Sequence, residues 1–167
     1  MDILISADDI NQRVRELAHE IQKDHPDGVH LVCVLKGAFV FLADLARNMD
    51  GPVTLDFMAM SSYGKGTVSS GQVRLLKDLD SPIEGRDVVI VEDIVDTGLT
   101  LSYLQEILRA RGPRGLKTAC LLSKPSRRKV NVQVEYIGFT IEDRFVVGYG
   151  LDFDEQYRNL PHIAVLA

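Results

Sequence analysis

The run Val88–Thr100, VVIVEDIVDTGLT in one-letter code, constrains the fold more than any other stretch of this chain. Four apolar residues, Val88 to Val91, lead straight into two adjacent carboxylates, Glu92 and Asp93. Ile94 and Val95 then separate these from a third acid, Asp96, and from Thr97, Gly98 and Thr100. Downstream, Leu101, Leu104, Ile107 and Leu108 recur at helical spacing and share one face. The pattern predicts a buried strand, a short turn and a helix start, which is where open α/β sheets bind ligands.

The turn has a definite chemistry. Backbone N–H groups at a glycine-containing turn and a helix N-terminus favour an anion, typically phosphate. Thr97 and Thr100 add hydroxyl donors, and Gly98 lets the backbone approach a ligand closely. Paired carboxylates at a strand's carboxyl end can accept hydrogen bonds from a sugar diol or hold magnesium. Asp96, a turn further on, can take a proton from a reacting group. Asp96 or Thr97 is also compatible with a plain helix N-cap, but paired acids rarely follow a fully buried strand without a ligand.

The rest of the chain alternates between strand and helix patterns, with no repeat or low-complexity tract. Ile10, Val14, Leu17 and Ile21 predict an amphipathic first helix that Ser6 can cap. Strands are predicted over 30–35, 53–60, 73–77, 88–91 and 116–122, and helices over 37–49 and 99–111. Short strands near 134–138, 145–148 and 163–166 complete an irregular C-terminal part, which together with the N-terminus is read as a small hood rather than another domain. The predicted fold class is α/β: three layers, a mostly parallel twisted sheet flanked by helices, in one domain over 1–167.

Composition agrees with a small enzyme. A chain of 167 residues can bury a real core, and 46% hydrophobic with 26% charged residues is ordinary for a globular protein. A net charge of −5 argues against a general nucleic-acid binder. The basic cluster at Lys124–Lys129 is expected to place Arg127, Arg128 and Lys129 in a solvated loop. Neither a membrane-spanning run nor a signal-peptide pattern is visible, so a cytoplasmic protein is expected. Cys33 and Cys120 lie in apolar strand patterns and are expected as buried small hydrophobes. The four histidines lack metal-ligand spacing.

The run 88–100 resembles the phosphoribosyl pyrophosphate (PRPP) signature of the type I phosphoribosyltransferases. The resemblance implies that Glu92 and Asp93 meet the ribose hydroxyls with magnesium nearby. It implies too that Asp96, Thr97, Gly98, Leu99 and Thr100 cradle the 5-phosphate. Leu99 stands where some relatives carry lysine, which matters little for a loop acting through backbone N–H groups. Three further stretches resemble the hypoxanthine-guanine branch, in the family's order. Leu35-Lys36-Gly37 matches its pyrophosphate loop, commonly built with a non-proline cis peptide. Ser62-Tyr63, within the Ser- and Gly-rich segment 61–72, matches the pair that closes a lid over the reaction and excludes water. Gly66 and Gly71 mimic the start of a P-loop, but Gln72-Val73 replaces the required Lys-Ser/Thr.

The third stretch, Arg144–Asp152, together with Lys124, is similar to the base site of that branch. There the resemblance implies that Lys124 donates to a purine oxo group, Phe145 stacks on the ring, and the Val146 backbone reads its edge. Asp152 would approach magnesium, making the implied metal set Glu92, Asp93 and Asp152, and Arg158 would contact pyrophosphate. The implied activity is transfer of the phosphoribosyl group from PRPP to hypoxanthine or guanine, with Mg2+ as cofactor and Asp96 as general base. The family usually forms homodimers or homotetramers, and partners other than PRPP and a 6-oxopurine are not expected. The alternatives are an enzyme acting on xanthine or uracil, or a PRPP-fold regulator that binds RNA. The choice between hypoxanthine and guanine stays open.

Overall fold

The computed structural model describes residues 1–62 and 73–166. The elements, in chain order, are β1 (Asp2–Ile5), α1 (Ala7–Asp24), β2 (Val29–Leu35), α2 (Phe39–Arg47), β3 (Val53–Ser62), β4 (Val73–Lys77) and β5 (Asp87–Val95). They continue with α3 (Leu99–Arg109), β6 (Gly115–Ser123), β7 (Tyr136–Thr140), β8 (Val146–Val147) and β9 (Ile163–Val165).

A six-stranded sheet of order β4-β3-β2-β5-β6-β7 forms the middle layer. Every neighbouring pair in it is parallel except β3 with β4. The near-continuous apolar runs of β2 and β5 are what a strand covered on both faces requires. Alternation then assigns the faces. Leu31 and Cys33 of β2, with Val89 and Val91 of β5, pack against Ile10, Leu17 and Ile21 of α1 and Phe41 and Leu45 of α2. Val32, Val88 and Ile90 pack on the other face against Leu101, Leu104 and Leu108 of α3. Fully burying one such side chain contributes roughly 1.5–3 kcal/mol, so both helix layers are held by burial rather than by propensity.

α1 begins as its sequence predicts, with the Ser6 side chain accepting a hydrogen bond from Asp9 N at 3.1 Å. Three differences from the sequence expectation bear on the site and the hood. β5 continues through Glu92 and Asp93 to Val95, because its pairing with β6 persists through Glu92↔Cys120 and Val95↔Ser123. α2 starts at Phe39 rather than at residue 37, after a turn that includes a cis Leu35–Lys36 peptide. β1 is a strand that the sequence pattern does not predict, although the N-terminus is expected in the hood: its partner is β9, at the other end of the chain, and β9 also pairs with β8. The resulting three-stranded sheet, β1-β9-β8, is the small hood beside the main sheet.

The connection after β2 carries α2 on one face of the sheet, and the connection after β5 carries α3 on the other. β2 and β5 are adjacent, so the direction of winding switches between them. The crevice outside their carboxyl ends is where such a sheet binds ligands.

Candidate active site

Two loops meet at this switch. After β5, residues Asp96–Gly98 turn into α3, with Gly98 as N-cap in the left-handed region at φ 83. Gly98 has no side chain to cap that end, leaving the first-turn N–H groups of α3 beyond Leu99 available to an anion. Thr97 Oγ1 accepts only locally, from Leu99 N at 3.3 Å. Glu92, Asp93, Asp96, Thr97, Gly98, Thr100 and Arg127 help to line a cleft of about 380 Å3 here.

After β2, the Lys36-Gly37 turn faces the acids directly. A Cβ on Gly37 would collide with Asp93 Oδ2, so only glycine allows this approach. Gly150 is fixed in a similar way: its φ is 97, and a Cβ there would strike Gly37 O. The C-terminal segment is thereby pressed against the Lys36-Gly37 loop.

The carboxylates sit in an unfavourable setting for charge. Burial, and then the neighbouring Asp93 charge, push the Glu92 carboxyl well above its ordinary range. Burial pushes Asp93 up to about 6, partly offset by the hydrogen bond it accepts from Ile94 N and by the charge of Arg158. Glu92 is only 7% exposed, and its Oε1 has no hydrogen-bond partner; Asp96 Oδ1 is buried and unpartnered too. Buried acceptors left open in this way call for a ligand, a cation or water. Among the described residues, no group of three His, Cys, Asp or Glu side chains is arranged to hold a metal by itself. One or two carboxylates completed by substrate oxygens is nevertheless the usual surrounding of magnesium, and the oxygen donors here fit it.

Cations lie on two sides. Lys36 Nζ reaches Glu155 Oε2 at 3.3 Å, while Arg158 Nη2 reaches Glu155 Oε1 at 3.2 Å and Asp152 Oδ1 at 3.4 Å. Arg158 also donates to Gly150 O at 2.8 Å. Lys36, Asp152 and Arg158 are thus brought together around Glu155, a residue that sequence reasoning did not single out. On the other side, Lys124 follows β6, and its N donates to Val95 O at 3.0 Å. Its side chain is not a surface lysine: the residue is 7% exposed, with Asp143 Oδ1 at 3.6 Å from Nζ. Phe145 is 53% exposed and meets Phe153 edge to face, with ring centroids 5.8 Å apart. Val146, beside it, is buried in β8. Ser62 ends β3, and its side chain lies outside the described residues, as do Tyr63 and the rest of the expected lid through residue 72.

The expected solvated loop at 127–129 needs correction at Arg128. Its Nη1 donates to Val95 O and Asp96 O, both at 2.8 Å, and its Nη2 donates to Ser123 Oγ at 2.9 Å. Lys129 N and Val130 N bond Thr97 O at 2.9 and 3.3 Å. The segment after β6 therefore clamps the Asp96–Gly98 turn from behind. A run of cations directly after a buried strand was the available signal, but nothing in sequence spacing distinguishes a clamping arginine from a solvated one. Cys33 and Cys120 are buried as expected, and burial pushes both thiols up to about 12.

Residues 6–154 match the model of the phosphoribosyl transferase domain family. A hypoxanthine-guanine phosphoribosyltransferase of Bacillus subtilis (strain 168) is 51% identical over 165 residues, spanning 98% of this chain and 92% of that protein. A crystal structure of a hypoxanthine-guanine phosphoribosyltransferase from Bacillus anthracis has a TM-score of 0.96 at 48% identity, covering 100% of this chain and 99% of that one. A hypoxanthine phosphoribosyltransferase from Staphylococcus aureus gives 0.96 at 43% identity, covering 100% and 91%. With a phosphate-ready turn, buried acids and flanking cations at one sheet edge, and with these likenesses over nearly its full length, the chain belongs to the phosphoribosyl transferase domain family.

Proposed function

We propose that this protein transfers the 5-phosphoribosyl group from PRPP to hypoxanthine, and to guanine, giving IMP or GMP and pyrophosphate. The observation that carries this reading is the buried Lys124 beside the acid-lined cleft. An ammonium held there suits a ring oxo group and disfavours the amine of adenine. Phe145, half exposed, offers an aromatic face worth about 1–3 kcal/mol in stacking on a base. The backbone of Val146 reads the ring edge.

In this mechanism the Asp96–Thr100 turn holds the 5-phosphate through backbone N–H groups and the Thr97 and Thr100 hydroxyls. Glu92 and Asp93 orient the ribose hydroxyls. A purine ring nitrogen attacks the anomeric carbon as its bond to the pyrophosphate oxygen breaks, and the Asp96 carboxylate takes the nitrogen's proton. Lys36 and Arg158 receive the departing pyrophosphate, exchanging the Glu155 carboxylate for it. Catalysis is then chiefly placement and charge stabilisation. Magnesium, which Glu92, Asp93 and Asp152 would hold together with substrate oxygens, would neutralise the pyrophosphate charge. Ser62 and Tyr63 would close over the reacting centre and exclude water.

The same proposal takes the protein to act in the cytoplasm as one domain assembled into a homodimer or homotetramer, without a nucleic-acid partner. No described helix is long and apolar enough to cross a membrane. Exposed Phe39 and Leu55 provide apolar surface for self-association.

Nucleotide formation from PRPP and magnesium with hypoxanthine, guanine, xanthine, adenine and uracil in turn tests the assignment. Product from hypoxanthine or guanine is expected. Product from uracil or adenine alone would keep the PRPP site and overturn the base site. PRPP binding with no product from any base would point to a regulator instead.

A further inference from the structure

Among the residues that help to line the acid cleft, Arg127 is the one cation, alongside Glu92, Asp93 and Asp96. A phosphate held by the 96–100 turn would meet three carboxylates and a single guanidinium. Arg127 is not idle in the present structure. Its Nη1 lies 3.5 Å from Asp143 Oδ2, while the other oxygen of the same carboxylate, Oδ1, lies 3.6 Å from Lys124 Nζ. Asp143 therefore joins a cation of the phosphate cleft to the buried cation assigned to the base. The two halves of this bridge differ. The Arg127 and Asp143 side chains are 48% and 51% exposed, so their pairing is screened by solvent and weak. The Lys124 side chain is only 8% exposed, and a buried ammonium depends on its counter-ion.

We propose that Arg127 is a phosphate-binding side chain held in reserve by Asp143, and that phosphate draws it away so that Asp143 is left to position Lys124 alone. A phosphate with two negative charges, already seated on backbone N–H groups, offers a guanidinium charge-assisted bidentate bonds that an exposed carboxylate at 3.5 Å does not. Once Arg127 has turned to the phosphate, the whole Asp143 carboxylate faces Lys124. Occupancy of the phosphate site thus sharpens the donor that meets the base's oxo group. Arg127 acts on the phosphate directly, whereas Asp143 is a positioning residue that acts through Lys124. The inference rests on the functional reading above, in its placement of the 5-phosphate and of the base.

The test uses ribose 5-phosphate as probe, titrated calorimetrically into the full chain, together with steady-state KM values for PRPP and hypoxanthine. Arg127→Gln is expected to bind ribose 5-phosphate about tenfold more weakly, the loss of one charge-assisted contact. Arg127→Lys should recover part of that loss, and KM for hypoxanthine at saturating PRPP should stay within about twofold of wild type. Asp143→Asn should do the opposite, binding ribose 5-phosphate as tightly as wild type or more so, while KM for hypoxanthine rises about tenfold. A merely structural role would weaken both ligands together. Wild-type affinity for ribose 5-phosphate in Arg127→Gln, or parallel losses in Asp143→Asn, would overturn the proposal. Failure of the wild-type protein itself to bind ribose 5-phosphate would instead overturn the placement of the phosphate, and the relay with it.

Discussion

Asp93 illustrates how a carboxylate buried in the candidate site works against stability. Because burial pushes its pKa up to about 6, Asp93 binds its proton more tightly in the folded chain than in the unfolded one. Ionising it therefore costs folding free energy as pH rises from about 4, the unfolded value, to 6, and the cost persists above that. Asp93→Asn keeps an acceptor for Ile94 N and removes the charge. It is expected to melt a few degrees higher than wild type at pH 8, at about 2–4 °C per kcal/mol for a chain of this size. The difference should shrink as pH falls through 6, and thermal melts across pH 4–8 would show it. The same variant should lose activity, the usual trade between stability and a strained site. Asp96→Asn is a different case, since Asp96 lines the cleft and its buried Oδ1 has no hydrogen-bond partner. Removing a general base typically costs 10²–10⁴-fold, so kcat is expected to fall at least about 100-fold while PRPP affinity changes little. Unchanged turnover would end the assignment of Asp96 as base.

At the scale of elements, the Asp96–Gly98 turn owes its shape to a neighbour. Arg128 reaches from the segment after β6 to hold Val95 O and Asp96 O through Nη1, while the other prong of its planar fork, Nη2, holds Ser123 Oγ. Arg128→Ala would leave both carbonyls without that partner, each charged hydrogen bond being worth about 1.5–3 kcal/mol. A raised KM for PRPP, about tenfold or more, and a lower melting temperature are expected. Arg128→Lys should recover stability only in part, because an ammonium cannot present the fork. A melting curve and KM equal to wild type in Arg128→Ala would show that the turn holds itself. β5 gives a related lesson. Its apolar start was legible from Val88–Val91, yet the strand runs on to Val95, because pairing with β6 continues past the two acids. Local hydrophobicity marks where a strand is buried, not where its ladder ends.

For the molecule as a whole, the hood depends on the first residues meeting the last. β1 adds to β9, β9 adds to β8, and β8 carries Val146 next to Phe145. Deleting residues 1–5 would expose a β9 edge and loosen the support of the proposed base site. A lower melting temperature is expected, with KM for hypoxanthine rising more than KM for PRPP, because the phosphate turn lies on the main sheet. An equal rise in both would show that the hood supports the whole cleft. α1 is a counterexample to such long-range dependence: its apolar spacing and Ser6 cap lie within one local segment, and they were legible without the fold. β1 was not, because a four-residue strand with a mostly exposed face leaves little periodicity to read.

What the amino-acid sequence determined by itself was local and chemical. The apolar runs of β2, β5 and β6, the helical stripes of α1 and α3, and the order acid–acid–acid–Thr–Gly before a helix follow from residues adjacent in the chain. These suffice for the fold class, the parallel core and the position of the cleft. Tertiary structure alone decided which charges meet. Lys124 is buried on Asp143, Lys36 and Arg158 share Glu155, Arg128 grips the Asp96 carbonyl, and Gly37 makes room for Asp93. Each of these unites residues from separate elements. Charged side chains carry no periodic signal of their partners, because a pairing is set by how the layers stack and not by spacing along the chain.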